Sequence, residues 1–499
     1  MLSDTGRTDS LWMVTRPPAA PDPLRQNARA DVCVIGAGIA GISTAYLLAK
    51  TGKRVIVLDD GPIGGGETGR TTAHLSNALD DRYFKLERLH GRDGARLAAA
   101  SHAAAIDRIE HIVREEAIDC GFTRLDGYLF VPPGESSEVL HKELDAARRA
   151  GLTGVELVQR IPELSFDPGL CLRFPRQGQF HPLSYLSSLA GAIGRMGGVI
   201  HGKTHVTGVE PGPPAAVTTE DGHTVTADFV VCATNTPVID WLVIHSKQAA
   251  YRTFAIGARV NGRVPPALYW DTADPYHYVR LADDVLIVGG EDHKTGQADD
   301  GDERLARLET WTRERFPVGP VEFRWSGQVM EPVDGLAYIG RNPGDKGHVF
   351  VSTGDSGHGM THGTIAGMLL TDLILGRPNE WEHLYDPARK SLKASPEYAK
   401  ENLNVAKQYL DYVTPGEVGS EDEIQRGQGA IVRHGAKKFA VYRDERGTLH
   451  RASAVCPHLG CIVQWNSLEK SWDCPCHGSR YGIDGAVMNG PALDGLAMD

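Results

Sequence analysis

The chain has 499 residues, a length that predicts roughly two to four domains, and its composition of 41% hydrophobic and 23% charged residues is that of an ordinary globular protein. The formal net charge of −12 argues against a nucleic-acid-binding protein. Every apolar run is shorter than the ~18 residues of a membrane helix, and residues 1–30 lack the apolar core and basic flank of a signal peptide. We therefore expect a cytoplasmic protein without a membrane span.

The first predicted elements, after a loose Pro-rich arm of residues 1–29, form a β–α–β unit. A strand over Asp31–Ile35 leads into a G-x-G-x-x-G loop and a helical run to Lys50, and a second strand over Arg54–Leu58 ends on an acid. In such units the glycines allow the tight turn, the approach of backbone to a pyrophosphate and close helix–strand packing, while the acid accepts hydrogen bonds from ribose hydroxyls. The unit predicts a dinucleotide site formed by Gly36, Gly38, Gly41 and Asp59.

Two further Gly-rich loops indicate which dinucleotide binds. Residues 61–74 form a Gly/Thr loop after the second strand, and residues 348–361 read as a strand, a turn and the start of a helix. These loops resemble the FAD-contacting loops of the D-amino-acid-oxidase-like flavoproteins, a family that includes sarcosine, glycine and dimethylglycine oxidising enzymes. The resemblance covers about residues 31–377, and we find no second complete β–α–β dinucleotide unit, so we expect FAD and no separate NAD(P)H domain. It implies further cofactor contacts from Gly69, Arg70, Thr71, Gly354, Gly357, Gly359 and Met360.

A predicted strand over residues 276–280 is the candidate substrate-binding surface. Because side chains alternate along a strand, Tyr276, Tyr278 and Arg280 share one face. In the resembled family, Tyr and Arg on this sheet hold the substrate carboxylate, which implies catalytic roles for Tyr278 and Arg280, with His358 beside the flavin. The alternative is an ordinary cross-strand pair on the protein surface.

The spacing Asp355-x2-His358-x3-His362 also fits a mononuclear non-haem iron site. Rieske oxygenases pair such a site with an iron–sulfur cluster. The two histidines, however, flank the turn expected to meet FAD, so we favour His358 as a flavin neighbour and keep an oxygenase as a weaker alternative.

The motif nearest the end of the chain contains two Cys-plus-His pairs. They read C-P-H and C-P-C-H, and fifteen residues separate His458 from Cys474. This spacing lets two loops each present one thiolate and one imidazole, and two Cys on one iron with two His on the other is the ligand set of a Rieske [2Fe–2S] centre. Zinc, which favours C-x2-4-C pairs, is the alternative. The resemblance to Rieske domains covers about the last seventy residues and implies the ligands Cys456, His458, Cys474 and His477.

The same resemblance points to the high-potential Rieske subfamily. It implies a disulfide between Cys461 and Cys476, which would clamp the two ligand loops, and hydrogen bonds from Ser479 and Tyr481 to cluster sulfurs. Such bonds raise the reduction potential, which places this cluster toward the upper part of the Rieske range of about −150 to +300 mV. A disulfide in a reducing compartment is unusual, and burial beside the cluster would protect it.

The expected fold is an α/β FAD-binding Rossmann-type domain with an interleaved α+β substrate domain, followed by a small all-β Rieske domain. We place the oxidoreductase at residues 30–385, with FAD parts at about 30–80, 150–240 and 325–380 and substrate parts at about 81–149 and 241–324. A helical linker of residues 386–420 leads to the Rieske domain at 421–499.

Flavin carries two electrons and a [2Fe–2S] cluster carries one. The presence of both cofactors in one chain therefore predicts conversion between two-electron and one-electron chemistry. We expect a dehydrogenase that takes a hydride from a small amine or amino acid and passes electrons singly to an external one-electron acceptor, which a protein could provide. The alternative is a flavin/iron–sulfur electron-transfer component serving a partner protein.

Overall fold

The computed structural model describes residues 5–239, 244–345, 347–390 and 392–498. Residues 1–4 of the predicted arm, 240–243 at the predicted boundary between FAD and substrate parts, 391 in the predicted linker, and 346 and 499 lie outside the described residues. In chain order, the strands of the first two sheets are β1 (Ala28–Ile35), β2 (Val55–Leu58), β3 (His74–Leu75), β4 (Thr123–Phe130), β5 (Glu156–Val158), β6 (Cys171–Gln179), β7 (Val199–His201), β8 (Val206–Glu210), β9 (Ala215–Thr219), β10 (Thr224–Cys232), β11 (Gln248–Val260), β12 (Leu268–Asp271), β13 (Tyr278–Ala282), β14 (Val285–Lys294), β15 (Val318–Pro332), β16 (Tyr338–Arg341) and β17 (Val349–Thr353).

The helices are α1 (Leu11–Thr15), α2 (Ile39–Lys50), α3 (Glu67–Arg70), α4 (Tyr83–Glu115), α5 (Glu138–Arg149), α6 (Pro182–Arg195), α7 (Gly301–Arg313), α8 (Gly359–Ile374), α9 (Glu382–Tyr385) and α10 (Ser395–Gln408). Helix α4 is kinked at Gly91, whose φ of 75° is not helical. Across the described ranges, the helices are all too short or too polar to cross a membrane.

The first sheet carries the predicted dinucleotide loop. Strands β17, β10, β1, β2 and β7 pair in parallel in that order, and β16 adds an antiparallel edge. Strand β2 is buried at every position, as expected for a parallel strand covered on both faces. Helices α2 and α8 pack against each other, so the first Gly-rich loop and the turn before α8 lie close together.

The second sheet forms the wall opposite this loop. Its strands run in the order β15, β11, β14, β13, β12, β4, β6 and β3, with β5 paired to β6, and only the β12–β4 pairing is parallel. Helix α7 packs on β11, β14 and β15. Strand β13 begins at Tyr278 rather than at Tyr276, because the turn around Pro275 delays pairing with β12.

The final part of the chain is built of two small antiparallel sheets. One contains β18 (Gln428–His434), β19 (Lys437–Arg443) and β20 (Leu449–Ser453), and the other contains β21 (Gln464–Asn466), β22 (Ser471–Asp473), β23 (Arg480–Tyr481) and β24 (Val487–Asn489). Trp465 and Trp472 pack in the core of this final part of the chain, with their ring centroids 4.8 Å apart. The fold is thus the predicted α/β and α+β pair of domains followed by an all-β domain.

The N-terminal arm is not loose over its described part, contrary to the prediction. Helix α1 buries Trp12 and Met13, and the Trp12 indole donates to the carbonyl of Thr71 at 2.6 Å. The Ser10 hydroxyl donates to the carbonyl of Gly69. The prediction was wrong because it relied on the Pro-rich composition of the arm. It did not take account of the apolar residues that precede the prolines, such as Trp12.

A buried ionic cluster, which we call the Glu469 network, joins the arm to both domains. The Glu469 carboxylate accepts hydrogen bonds from the backbone amide and hydroxyl of Thr8, and it lies 3.2 Å from Arg70 and 3.4 Å from Arg252. Burial opposes ionisation of Glu469, but Arg70, Arg252 and Arg480 outweigh burial and hold its pKa well below the usual range. This network fixes the last domain against the FAD-binding part.

Candidate functional site

A large cavity, which we call the main cavity, lies between the first Gly-rich loop and the second sheet. At its nucleotide-loop end, Asp59 accepts hydrogen bonds from the backbone amides of Ala37, at 2.5 Å, and Gly61, at 2.8 Å. A Cβ atom added to Gly38 would lie 3.1 Å from Thr68 Oγ1, so a side chain at this position would narrow the nucleotide-loop end of the cavity. This end of the cavity, at the N-terminus of α2, fits a pyrophosphate.

The structure brings most of the predicted cofactor residues together. The main cavity is lined by Gly36, Gly38, Asp59, Arg70, Thr71, Gly357, Gly359 and Met360. The other three glycines, Gly41, Gly69 and Gly354, do not line the cavity. A Cβ on Gly41 would lie 1.8 Å from the carbonyl oxygen of Gly36, one on Gly69 would lie 2.5 Å from Met13, and Gly354 has a φ of 72°.

The opposite end of the main cavity is lined by side chains of the second sheet. They come from β11, β12, β13 and β14 and the turn before β13, and comprise Thr253, Trp270, Tyr276, Tyr278 and Asp292. The Tyr276 and Tyr278 rings lie 5.4 Å apart, and the Tyr278 hydroxyl is 2.6 Å from the hydroxyl of Thr253. Tyr278 therefore lies where the sequence predicted it.

Arg280 does not line the main cavity, and its predicted contact with a substrate carboxylate is corrected by the structure. Its guanidinium donates to the backbone carbonyls of Ala73, at 2.7 Å, and Phe180, at 3.1 Å. It also lies over the Trp12 ring at 5.1 Å. Strand alternation correctly placed Arg280 on the same face of the strand as Tyr278. The loop before β3 and the N-terminal arm cover this part of the face, so Arg280 is separated from the cavity.

His358 lies at the start of α8 and lines the main cavity. Its Nε2 accepts a hydrogen bond from the backbone amide of Asp80 at 3.0 Å, and the Asp80 carboxylate accepts one from the Tyr276 hydroxyl at 2.6 Å. Burial opposes ionisation of Asp80, yet His358 and Tyr276 hold its pKa below the ordinary value. This pair joins the turn before α8 to the substrate-facing sheet.

The carboxyl groups of Asp292, Glu331 and Asp355 also line the main cavity, and among the described residues none of the three has an arginine or lysine close enough to form an ion pair. Burial raises the pKa of Asp292 to about 7. Burial and the neighbouring Asp81 raise the pKa of Glu331 well above its usual value, and burial with Glu67 raises that of Asp355 to about 6. Perturbed carboxyls in a cavity are typical of functional sites.

The geometry does not favour iron binding by Asp355, His358 and His362. His362 uses Nδ1 on the backbone carbonyl of Asp355, at 2.8 Å, and its Nε2 is 3.2 Å from Nε2 of His102. Both ring nitrogens of His362 are thus engaged by the protein. The spacing that suggested an iron site instead reflects the hydrogen-bonded start of α8.

The Cys/His motif brings its four predicted ligands together in the last domain. Cys456, Cys474 and His477 are buried, and the rings of His458 and His477 lie 5.1 Å apart and perpendicular. Nδ1 of His477 is shielded from solvent and has no hydrogen-bond partner in the part of the chain that the structure describes. Two thiols and two imidazoles converging in this way fit a Rieske [2Fe–2S] cluster held by Cys456, His458, Cys474 and His477.

The residues predicted to support the cluster lie beside these ligands. Cys461 and Cys476 form a disulfide with a Cα–Cα distance of 6.4 Å. The Tyr481 hydroxyl is 3.0 Å from Cys456 Sγ, whereas the hydrogen bond from Ser479 to a cluster sulfur stays a prediction. Ser479 Oγ accepts a bond from the Ala492 amide at 3.1 Å.

Two residues near the cluster site were not found by sequence analysis. His245, from the segment before β11, lies with its ring 5.1 Å from that of His458 and 6.3 Å from that of His477. Gln328, on β15, lines the main cavity and donates from Nε2 to the carbonyl of Gly478 at 3.0 Å. Neither residue belongs to a local motif, so only the docking of the two domains reveals them.

The last domain also completes the main cavity itself. Residues on and after β24 line the cavity near its nucleotide-loop end, namely Val487, Met488, Asn489, Gly490, Ala492 and Leu493. The two sites are therefore parts of one structural unit.

Comparisons with known proteins agree with this geometry. The family model described as FAD dependent oxidoreductase (DAO) matches residues 31–373, and the Rieske [2Fe-2S] domain model matches residues 414–498. The "Putative Rieske 2Fe-2S iron-sulfur protein YhfW" of Bacillus subtilis (strain 168) is 29% identical over 98% of this chain and 97% of its own length. Gamma-glutamylputrescine oxidoreductase of Escherichia coli (strain K12) is 28% identical over 74% of this chain and 90% of its own length.

Among solved structures, glycine oxidase from Geobacillus kaustophilus superposes with a TM-score of 0.61 at 18% identity, covering 73% of this chain and all of that one. This likeness concerns the fold. The first two sheets thus hold FAD and the last domain holds a [2Fe–2S] cluster. Since the family model spans most of the sequence, the chain belongs to the FAD dependent oxidoreductase family, with a Rieske [2Fe–2S] domain following the flavin domain.

Proposed function

We propose that the protein is a dehydrogenase that oxidises a small amine or amino-acid-like substrate and delivers the electrons, one at a time, through the Rieske cluster to an external acceptor. The observation that carries this proposal is the wall shared by the two sites. Gln328 lines the FAD cavity and is hydrogen-bonded to Gly478, the residue that follows the cluster ligand His477. Only a side chain and one peptide unit separate the two cofactor sites there.

FAD supplies hydride acceptance and the capacity to release electrons singly. The chain's own residues bind and orient the substrate: the Trp270, Tyr276 and Tyr278 rings form an apolar wall, and Asp292 lies beside them. With its pKa raised to about 7 by burial, Asp292 is suited to accept the proton that an ammonium group must lose before its carbon can give up hydride. The neutral amine then loses hydride from carbon and becomes an iminium ion, and two equivalents of a one-electron acceptor take the two electrons.

The close packing of the two domains supports electron transfer within one chain. A Cβ added to Gly478 would lie 2.3 Å from the Cβ of Ala250 on β11, so the ligand loop lies directly against the second sheet. The linker also contacts the cluster site. The Tyr409 hydroxyl donates to the carbonyl of Leu459, the residue that follows the proposed ligand His458, at 2.6 Å.

The test is anaerobic reduction of the purified protein by candidate amines and amino acids, following flavin bleaching by absorbance and the reduced cluster by EPR. We expect the flavin to bleach first and the cluster signal to follow, with rapid turnover on a one-electron dye and slow reaction with oxygen. In Cys456→Ser, substrate should still bleach the flavin, whereas turnover on the dye should fall. Turnover with oxygen as fast as with the dye, and unchanged in Cys456→Ser, would contradict the proposal.

The alternative of a carrier without its own substrate is less well supported. Tyr278 lies in the wall of the cavity together with Trp270 and Asp292, which provides a site for a small molecule. A carrier would predict bleaching only in the presence of a partner protein, so bleaching of the isolated protein by an amine distinguishes the two.

A further inference from the structure

Resting on the function proposed above, we propose that the substrate is a cationic amine that carries no carboxylate on the reacting carbon, rather than an amino acid. The observation is the charge of the main cavity. Asp292 lies at its substrate end, Asp80 is hydrogen-bonded to Tyr276 there, and the carboxyl groups of Glu331 and Asp355 also line the cavity. Among the described lining residues there is no lysine, and Arg70 is the only arginine.

Neither nearby arginine is placed to bind a substrate carboxylate at the substrate end of the cavity. Arg70 donates to the carbonyl of Ser326 at 2.7 Å and lies 3.2 Å from Glu469. Arg280 does not line the cavity, and its Nη1 donates to the backbone carbonyls of Ala73 and Phe180. An amino acid would therefore bury its carboxylate without a cationic partner, at a large cost in free energy.

His74 and His362, which also line the cavity, do not supply the missing positive charge. Burial, together with Arg280, lowers the pKa of His74 to about 3, and burial with His358 lowers that of His362 to about 3. His358 presents Nε2 as an acceptor to the Asp80 amide. A carboxylate on the substrate would instead face the ionised carboxylate of Asp80, and like charges in a desolvated site repel strongly.

A second feature, independent of the acids, also favours a cation. The rings of Trp270, Tyr276 and Tyr278 line the same end of the cavity. His74 lies between them, 6.0 Å from Trp270 and 5.8 Å from Tyr278 by ring centroids. Faces of Trp and Tyr attract ammonium groups through their quadrupoles, most strongly in sites shielded from water.

Asp292 is the group that we expect to pair with the ammonium. Its Oδ1 is shielded from solvent and has no hydrogen-bond partner among the residues that the structure describes. Thr253 favours the ionised form of this carboxyl group, but burial outweighs it and raises the pKa of Asp292 to about 7. A bound cation would supply the partner that this oxygen lacks and would favour the ionised carboxylate.

The test compares two ligands that share a ring and cannot be oxidised by loss of hydride to an iminium ion: benzyltrimethylammonium and benzoate. Each is titrated into the holoprotein while the flavin absorbance spectrum is followed. We expect the cation to perturb the spectrum with a dissociation constant at least about tenfold lower than that of benzoate, the difference expected from one desolvated charge interaction. Stronger binding of benzoate, or no perturbation by the cation, overturns the proposal.

A variant pair identifies the residue responsible. Asp292→Asn should weaken binding of the cation by about tenfold or more and should not weaken benzoate, while flavin content remains unchanged. Asp302→Asn, which makes the same change at an exposed position of α7, is the control and should alter neither ligand. An Asp292→Asn variant that holds FAD and binds the cation as tightly as the parent protein contradicts the assignment.

A pair of oxidisable compounds separates this proposal from the one it rests on. Isobutylamine is valine without its carboxylate, and we expect only the amine to bleach the flavin anaerobically. Bleaching by valine and not by isobutylamine overturns the substrate class but leaves the dehydrogenase function standing. If the cation binds and neither amines nor amino acids bleach the flavin, the charge assignment holds and the proposed dehydrogenase function fails.

Discussion

At the scale of single residues, the contact between Tyr481 and Cys456 sets the electronic environment of the cluster. The Tyr481 hydroxyl lies 3.0 Å from Cys456 Sγ. Burial, reinforced by the Cys456 thiolate, raises the pKa of Tyr481, so the hydroxyl keeps its proton and acts as a donor. A donor to a ligand sulfur stabilises the more negative, reduced cluster.

Tyr481→Phe should therefore lower the reduction potential of the cluster. If the hydrogen bond stabilises the reduced cluster over the oxidised cluster by about 1 kcal/mol, its loss lowers the reduction potential by roughly 40 mV for a one-electron couple. The measurement is an EPR-monitored redox titration. Tyr442→Phe is the control, because Tyr442 packs on Trp465 in the same domain. An unchanged potential in Tyr481→Phe would show that the hydroxyl does not donate to the cluster.

Gln328 permits a second prediction at this scale. Gln328→Met removes the hydrogen bond to Gly478 and should slow the appearance of the reduced-cluster EPR signal relative to flavin bleaching, in anaerobic single-turnover mixing. Gln297→Met is the matched control, since Gln297 donates to Pro475 of the same domain at 3.2 Å but does not line the main cavity. An equal effect of both variants would indicate general loosening of the domains rather than a path through Gln328.

The residue scale also shows where sequence reasoning succeeds. The ligands from Cys456 to His477 and the first Gly-rich loop are local motifs, so their identity can be predicted without tertiary structure. Arg280 was predicted less well, because strand alternation gives the face of a side chain but not the segment that covers it. His245 and Gln328 belong to no motif, and their positions depend on the docking of distant segments.

At the scale of elements, the N-terminal arm and the β21–β22 turn hold the two domains together through the Glu469 network. One carboxylate balances several buried guanidinium groups there, so removing its charge leaves them uncompensated. The sequence could predict neither this network nor the packed arm, because Thr8, Ser326 and Glu469 are far apart in the chain and each is an ordinary surface residue type.

Glu469→Gln should lower the free energy of unfolding by about 3–5 kcal/mol, the usual cost of breaking a buried ion pair. Glu382→Gln, at the exposed pair with Arg341, is the control and should cost less than about 1 kcal/mol. Denaturant unfolding followed by tryptophan fluorescence measures both. Similar small losses in the two variants would show that the network does not stabilise the docked state.

The same network predicts a pH dependence. The pKa of Glu469 is held well below that of an unfolded glutamate, about 4.3. A depressed folded pKa gives stability that is fully present above the unfolded pKa and is lost as pH falls below it. The stability difference between the parent protein and Glu469→Gln should therefore be constant near neutral pH and shrink below about pH 4. A difference that grows on acidification would contradict this sign.

At the scale of the whole molecule, the proposed electron flow from substrate to flavin, cluster and acceptor requires the flavin and cluster domains to lie close together. Composition and motifs were enough to predict two cofactors and three structural parts. They could not predict that the Rieske domain is docked so closely, because no pattern in the sequence encodes complementarity between distant surfaces such as Ala250 and Gly478. The docked arrangement shortens the path between the cofactors.

The wall that Val487–Leu493 adds to the main cavity also bears on how the protein is assembled in the cell. The nucleotide end of the FAD cavity is incomplete until the segment on and after β24, in the cluster domain, has been synthesised and folded. Flavin loading is thus expected to be a late event that depends on maturation of the iron–sulfur domain. A chain shortened to residues 1–413 should retain less flavin per polypeptide than the full chain after gel filtration, and equal retention would show that FAD is secured before the cluster domain folds.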